Sequence, residues 1–276
     1  MKLIRLCVEF LALCLIAAPA EAVETAQNTL SDADLQKIAG NKYAPGELPL
    51  GDGRYVLDAP RKGYIYLCHK FGNNAGGAGR DGNWIHGTTW NLREKISVQG
   101  HVLWDQAQFS TMLASGERLI SGNGLPEHAT GIFPIQSNDP AYAYDRNPNR
   151  ILPQNVNESL PVDPTYTDPP FCMGMEVGYM LDGVPLFNGF DAGLRDAAAH
   201  EVQDSCQGHP QVTGSYHYHS LSSCIQDVSE KTVIGYALDG FPITGPFVVA
   251  GKYLTTDDLD VCHAIISSRF GLNYQF

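Results

Sequence analysis

Gly178-Tyr-Met-Leu-Asp-Gly-Val-Pro-Leu-Phe-Asn-Gly189 returns 57 residues later as Gly235-Tyr-Ala-Leu-Asp-Gly-Phe-Pro-Ile-Thr-Gly245. Each copy reads as an apolar strand, an Asp-Gly turn of the kind that closes a two-residue hairpin, and a return strand. Each is followed by an acid-rich segment and a cysteine, Asp204-Ser-Cys206 in the first and Asp260-Val-Cys262 in the second. The repeat predicts a duplicated β-hairpin half. A short helix is expected within 191–204, where Asp196, His200 and Asp204 fall at i, i+4 and i+8 and form one stripe.

Upstream, residues 138–170 carry Pro140, Pro148, Pro153, Pro161, Pro164, Pro169 and Pro170 without sustained periodicity, and read as a connector or wrapping loop. Before it, brief β-type runs at 64–68, 87–90, 97–104 and 117–120, punctuated by Gly and Asn, predict an antiparallel sheet. Residues 31–40 begin with a capping Ser and end on Gly, which predicts a short helix. The expected class is therefore α+β and β-rich. Its parts are a leader over 1–22, a β-rich half over 23–137, the connector over 138–170, and the hairpin half over 171–276.

The leader is read from Lys2 and Arg5, the apolar run 6–18 and the Ala20-Glu21-Ala22 cleavage pattern. Export follows, with a secreted or periplasmic location. Cys14 follows Leu13 rather than the small residue that lipid attachment needs, and no later stretch has the ~20 apolar residues of a membrane span. Acidic residues outnumber basic ones 30 to 18, for a net charge of −12 with the signs interspersed, which makes a nucleic-acid backbone a poor partner.

Export also places the cysteines in an oxidising compartment. Five remain beyond the leader: Cys68, Cys172, Cys206, Cys224 and Cys262. Cys206 and Cys224 enclose a short loop rich in His and Tyr and are the best pair; such a bridge would contribute about 3 kcal/mol in the loop-entropy model. Elimination pairs Cys68 with Cys172 and leaves Cys262 free or available to link a dimer.

The chemistry concentrates in Gly214-Ser-Tyr-His-Tyr-His-Ser220. On a strand, alternate side chains share a face, so His217 and His219 project together while Tyr216 and Tyr218 pack behind. A third ligand is expected from His209 and another from His200 on the helical stripe. Imidazole clusters of this kind suit zinc or copper with an open position. Asp182 and Asp239 read first as hairpin chemistry and only second as calcium ligands. His86 and His128 sit in polar turns, and the glycine-rich loop over 71–82 lacks the strand and capped helix of a phosphate cradle. No G-x-S-x-G elbow occurs, and His200-Glu201 is not completed to an H-E-x-x-H pair.

Three functions are compatible with these residues. The first is an exported metal-binding protein. The second is a metal-dependent hydrolase of an extracellular ester or glycan, with Asp196 or Glu201 as base. The third is a structural or carbohydrate-contacting module without metal, using Tyr216, Tyr218, Trp84 and Trp90 as platforms.

At Tyr216-His-Tyr-His219, with Asp204-Ser-Cys-Gln-Gly-His209 before it and Gly235-Tyr-Ala-Leu-Asp-Gly-Phe-Pro-Ile243 after it, the sequence resembles the YHYH-domain family of exported proteins. The resemblance covers roughly residues 170–262, and the segments at 79–85 and 122–126 look like that family's upstream half. It implies an exported, disulfide-bearing module. In such proteins the Asp-Leu-Asp-x-Cys-His segment continues into another Tyr-His-Tyr strand and a last Cys. This chain departs from that pattern after His263, running through Gly271-Leu-Asn-Tyr-Gln-Phe276, so the second copy is expected to be unfinished, short of the strand that would cover its hairpin.

Overall fold

The computed structural model describes residues 46–71, 80–248, 252–267 and 269–275. The expected leader and the helix over 31–40 lie outside them, as does most of the loop over 71–82. The described chain is β-rich with few helices. Short strands open it: β1 (Glu47–Pro49), β2 (Tyr55–Val56), β3 (Ile65–Tyr66) and β4 (Thr89–Asn91), with β1 antiparallel to β4 and β2 parallel to β3. The run at 97–104 forms no strand, only single bridges from Val98 to Asp204 and from Val102 to Thr130. Gly100 interrupts it with φ 133°, packed so closely on Ile132 that a Cβ would lie 2.6 Å from that side chain.

A three-stranded antiparallel sheet follows, made of β5 (Phe109–Ala114), β6 (Glu117–Gly122) and β7 (Val156–Pro161), in that order. β7 arises inside the proline-rich stretch because Val156 and Leu160 alternate with polar residues and bury against Ile120 and Tyr179.

The largest sheet comprises β8 (Glu176–Met180), β9 (Pro185–Phe187), β10 (Gly208–Pro210), β11 (Tyr216–Tyr218), β12 (Val233–Ala237), β13 (Pro242–Thr244), β16 (Ala264–Ser267) and β17 (Gly271–Gln275). A separate small ribbon pairs β14 (Phe247–Val248) with β15 (Lys252–Tyr253). The large sheet runs β10-β11-β9-β8-β12-β13-β17-β16. Two antiparallel hairpins, β8–β9 and β12–β13, lie back to back through the β8–β12 pair. Outside each, another antiparallel pair adds a strand parallel to the hairpin's return strand: β11 beside β9, with Tyr218 opposite Leu186, and β17 beside β13, with Tyr274 opposite Ile243. The strand expected to be missing from the second copy is therefore present.

Both hairpins close through three-residue loops rather than two. Met180 N–H donates to Val184 O (2.9 Å) and Ala237 N–H to Phe241 O (3.0 Å). Gly183 and Gly240 take φ of 87° and 92°, a left-handed conformation that L side chains rarely adopt, after Asp182 and Asp239. Behind the sheet, Tyr216, Tyr218, Met180, Val184, Ile234 and Ile243 form one buried cluster with Leu125 and Ile151.

The helical stripe over 196–204 does not form. Helix α1 covers only Ala197–His200, with Asp196 accepting from Ala199 N–H as its cap and Glu201 already extended. Its carbonyls are taken by side chains: Ala197 O by Gln203, Ala198 O by Lys95 and Ala199 O by Trp84. The amides of the next turn go elsewhere, Val202 N–H to Asp145 Oδ2 and Asp204 N–H to Gly208 O, so Asp204 sits instead on the bridge to Val98.

Candidate metal centre

β10 and β11 pair with His209 directly opposite His217, and His219 follows one alternation later on the same face. The ring centroids of His217 lie 4.6 Å from those of His209 and 4.8 Å from those of His219. One nitrogen from each of the three imidazoles lies within 4.8 Å of the others. All three side chains are deeply buried, and Phe187 of β9 stacks on the His217 ring at 4.1 Å.

Carbonyl partners fix two of the tautomers, because a carbonyl only accepts. His217 Nδ1–H donates to Ser215 O (3.1 Å) and His219 Nδ1–H to Asn188 O (2.5 Å). Their Nε2 atoms therefore face one another at 3.0 Å with a lone pair each. Two converging lone pairs repel unless a cation or proton lies between them.

Glu201, just beyond α1, completes the cluster. Its Oε2 lies 3.2 Å from His209 Nε2 and 3.3 Å from His219 Nε2. Neither approach has hydrogen-bond geometry: Glu201 Oε2 and both His209 ring nitrogens are buried polar atoms without a hydrogen-bond partner. Burial alone would raise the Glu201 carboxyl, but the charge of the neighbouring imidazoles, His209 foremost, holds it at about 2. Burial depresses His217 well below the ordinary imidazole range, and His209 and His219 add to the effect. It also depresses His219, while Glu201 opposes the shift. In His209 the balance reverses: burial pulls it down, yet Glu201 and Asp145 carry it upward overall. The centre thus offers two imidazoles held neutral and a carboxylate held charged, as metal coordination requires, while His209 would have to release a proton to join them.

The support behind the strand is polar and specific. Tyr216 O–H donates to Asp204, at 2.9 and 3.0 Å from its two oxygens, and the same carboxylate accepts from Gly131, Cys206 and Gly208 N–H. Tyr218 O–H donates to Asp182 (2.7 Å), and its oxygen lies 2.5 Å from His128 Nε2. The disulfide Cys206–Cys224 closes the loop that carries both strands, and Cys68–Cys172 forms as well. Cys262 is a half-buried free thiol, pushed by burial and by Asp260 and Asp239 up to about 11.

Several expected assignments are corrected. His200 faces away from the cluster, with Nδ1 2.8 Å from Asp81 and Nε2 3.0 Å from Asp52, because α1 ends after one turn and presents Glu201 in its place. Asp196 is occupied as the α1 cap and as acceptor for Gly51 N–H. The Asp182 and Asp239 carboxylates are consumed by turn amides and by Tyr218 and Tyr274 hydroxyls, which leaves no calcium cage. Trp84, Trp90, Tyr216 and Tyr218 are all buried and so cannot serve as binding platforms. His86 is exposed beside Glu47, and the group of His128 with Cys206 and Cys224 has its thiols tied in the disulfide.

The sequence pattern offers Glu201 only as a base, not as part of the cluster. Its place in the cluster depends on where α1 stops, and that depends on Asp145, Lys95 and Trp84, which are far from it in sequence. The cluster opens on a cleft of about 830 Å³, whose walls include His209, His217, His219, Glu201 and Phe187.

Residues 157–259 match the family model described as YHYH protein. The chain carries a YHYH domain. No curated protein and no solved structure matches the chain. Within the YHYH domain the four motif residues divide their work by strand alternation: Tyr216 and Tyr218 anchor β11 to Asp204 and Asp182, and His217 and His219 face the cleft.

Proposed function

We propose that the protein is an exported metal-binding protein whose single centre is formed by His209, His217 and His219, with Glu201 as a fourth ligand. The observation that carries this reading is the pair of Nε2 lone pairs facing each other at 3.0 Å beside an unpartnered buried carboxylate oxygen. A divalent cation removes both penalties at once. Imidazole-rich sites with one carboxylate suit zinc or copper. Export is supported by the two disulfides and by the leader pattern; among the described residues no helix is long and apolar enough to cross a membrane.

A metal-dependent hydrolase is the second reading, favoured by the cleft that opens on the centre. Glu201, 3.2 Å from His209 Nε2 and 3.3 Å from His219 Nε2, then replaces Asp196 as the acid placed to handle a proton there. We also infer that the two halves of the large sheet are copies of one unit, of which only the first carries ligands; the matching strand order and turn chemistry support this.

Elemental analysis of protein purified without a metal-affinity tag tests the main reading. About one zinc or copper per chain is expected, falling several-fold in His217→Ala and His219→Ala and unchanged in Tyr216→Phe. Metal content unaltered by either histidine substitution, or absent from the parent protein, would overturn it. Turnover of an ester or glycan panel separates the hydrolase from the binding protein.

A further inference from the structure

The cleft above the histidines has a chemistry of its own. Its walls are largely apolar and include Phe187, Phe190, Met175, Tyr144 and Val212. Its volume, about 830 Å³, falls in the range of roughly 300–1,000 Å³ common for small-molecule sites.

The charges around it sort unevenly. Asp191 is spent on Arg195 and on the N–H groups of Gly193 and Arg195, and Asp145 accepts from Asn147 and Val202 N–H. Glu201 belongs to the centre. The two arginines on the lining, Arg80 and Arg146, meet no carboxylate among the described residues. Each guanidinium lies over a tyrosine ring instead, Arg80 over Tyr144 at 5.1 Å and Arg146 over Tyr142 at 5.2 Å. On a chain with net charge −12, this cleft therefore offers cations to which no described residue supplies a carboxylate. A guanidinium already stacked on a ring keeps its N–H fork free for a planar anion.

We propose that the cleft binds a small organic carboxylate with an apolar, planar body: the carboxylate on Arg80 and Arg146, the body against Phe187, Phe190 and Met175, and the far end toward the histidine centre. This deepens the metal-binding reading by naming a ligand class, and it rests on that reading only for what the far end meets.

The test uses 2-naphthoate and its neutral isostere naphthalene-2-carboxamide as probes, with affinities measured by calorimetry on the purified full protein, as isolated and after chelation, and metal content measured on the same samples. Naphthoate should bind at least tenfold more tightly than the amide. Substituting Arg80→Gln together with Arg146→Gln should erase that preference and leave amide binding unchanged; both residues are exposed, so the fold should tolerate the exchange. Equal affinity for acid and amide, no binding of either, or a preference that survives the double substitution would overturn the proposal. A preference lost on chelation would overturn it too, because the carboxylate would then sit on the metal. Absence of metal combined with an arginine-dependent preference would sink the metal reading and leave the carboxylate site standing.

Discussion

The two halves of the large sheet share their scaffold down to single hydrogen bonds, yet among the described residues only one of them gathers a histidine cluster. In the first, Asp182 accepts from Tyr218; in the second, Asp239 accepts from Tyr274. Asp204 accepts from Cys206 and Gly208 N–H, and Asp260 from Cys262 and Ala264 N–H. Gln207 and His263, with φ of 60° each, make the same left-handed step into the outer pair. The difference lies at the positions that face the cleft in the first half and at their counterparts by strand pairing in the second. Where His209 pairs with His217, Ile265 pairs with Asn273, and Gln275 follows Tyr274 as His219 follows Tyr218. Phe187 stacks on His217 at the end of β9, whereas Thr244 at the end of β13 accepts from Asn273 Nδ2 at 2.9 Å. Backbone-directed Asp, Gly and Tyr residues build the scaffold, and a few exchangeable side chains decide whether imidazoles gather on it.

The comparison is broken most decisively by moving residues between the halves. His217→Asn, which installs the residue of the second half, should reduce bound metal from about one per chain to near zero while far-UV dichroism stays unchanged. Asn273→His should add none, since one imidazole beside Ile265 lacks the partners that tight binding of a borderline cation needs. A second equivalent of metal in Asn273→His would show that the halves differ less than their side chains suggest.

Next in size is the buried carboxylate. Asp204→Ala strands the Tyr216 hydroxyl and several N–H groups in the interior and should cost roughly 3–5 kcal/mol in urea unfolding, whereas Asp260→Ala, in a half-exposed turn, should cost about 1 kcal/mol. Equal losses would mean that the turn amides alone, and not the tyrosine, account for the role of Asp204. The smallest effect is expected from the other tyrosine pair. Tyr218→Phe should cost about 1–2 kcal/mol because Asp182 and His128 both lose a buried partner, and Tyr274→Phe less than about 1 kcal/mol because Asp239 remains exposed to water. Similar midpoints for the two variants would remove burial as the distinction.

Much of this was legible in the residues. The Asp-Gly turns announced the hairpins because the left-handed position after Asp favours Gly, and both disulfides followed from the oxidising compartment and the short His-rich loop. Strand alternation alone put His217 and His219 on one face. Three features resisted. His200 was misplaced because the spacing at 196, 200 and 204 imitates a helix that tertiary contacts stop after one turn, and the same stop hid Glu201 as a ligand. Gly271-Leu-Asn-Tyr-Gln275 kept only the second tyrosine of the motif, so the strand that completes the second half was recognisable only by its pairing with β13.

All four candidate ligands lie between Glu201 and His219, and the Cys206–Cys224 bridge closes a loop around the three histidines, five residues beyond Glu201. Short loops close at little entropic cost, so the same donors stay near one another in the denatured chain. On the metal-binding reading, a cation would find these donors together before the sheet exists and would not have to wait for a finished socket. Mass action then works on both sides of the folding equilibrium: whatever affinity the denatured stretch retains is subtracted from the stabilisation that metal brings. Saturating metal should raise the melting temperature by less than the native dissociation constant implies, and the shortfall measures how much of the centre belongs to the local chain rather than to the fold.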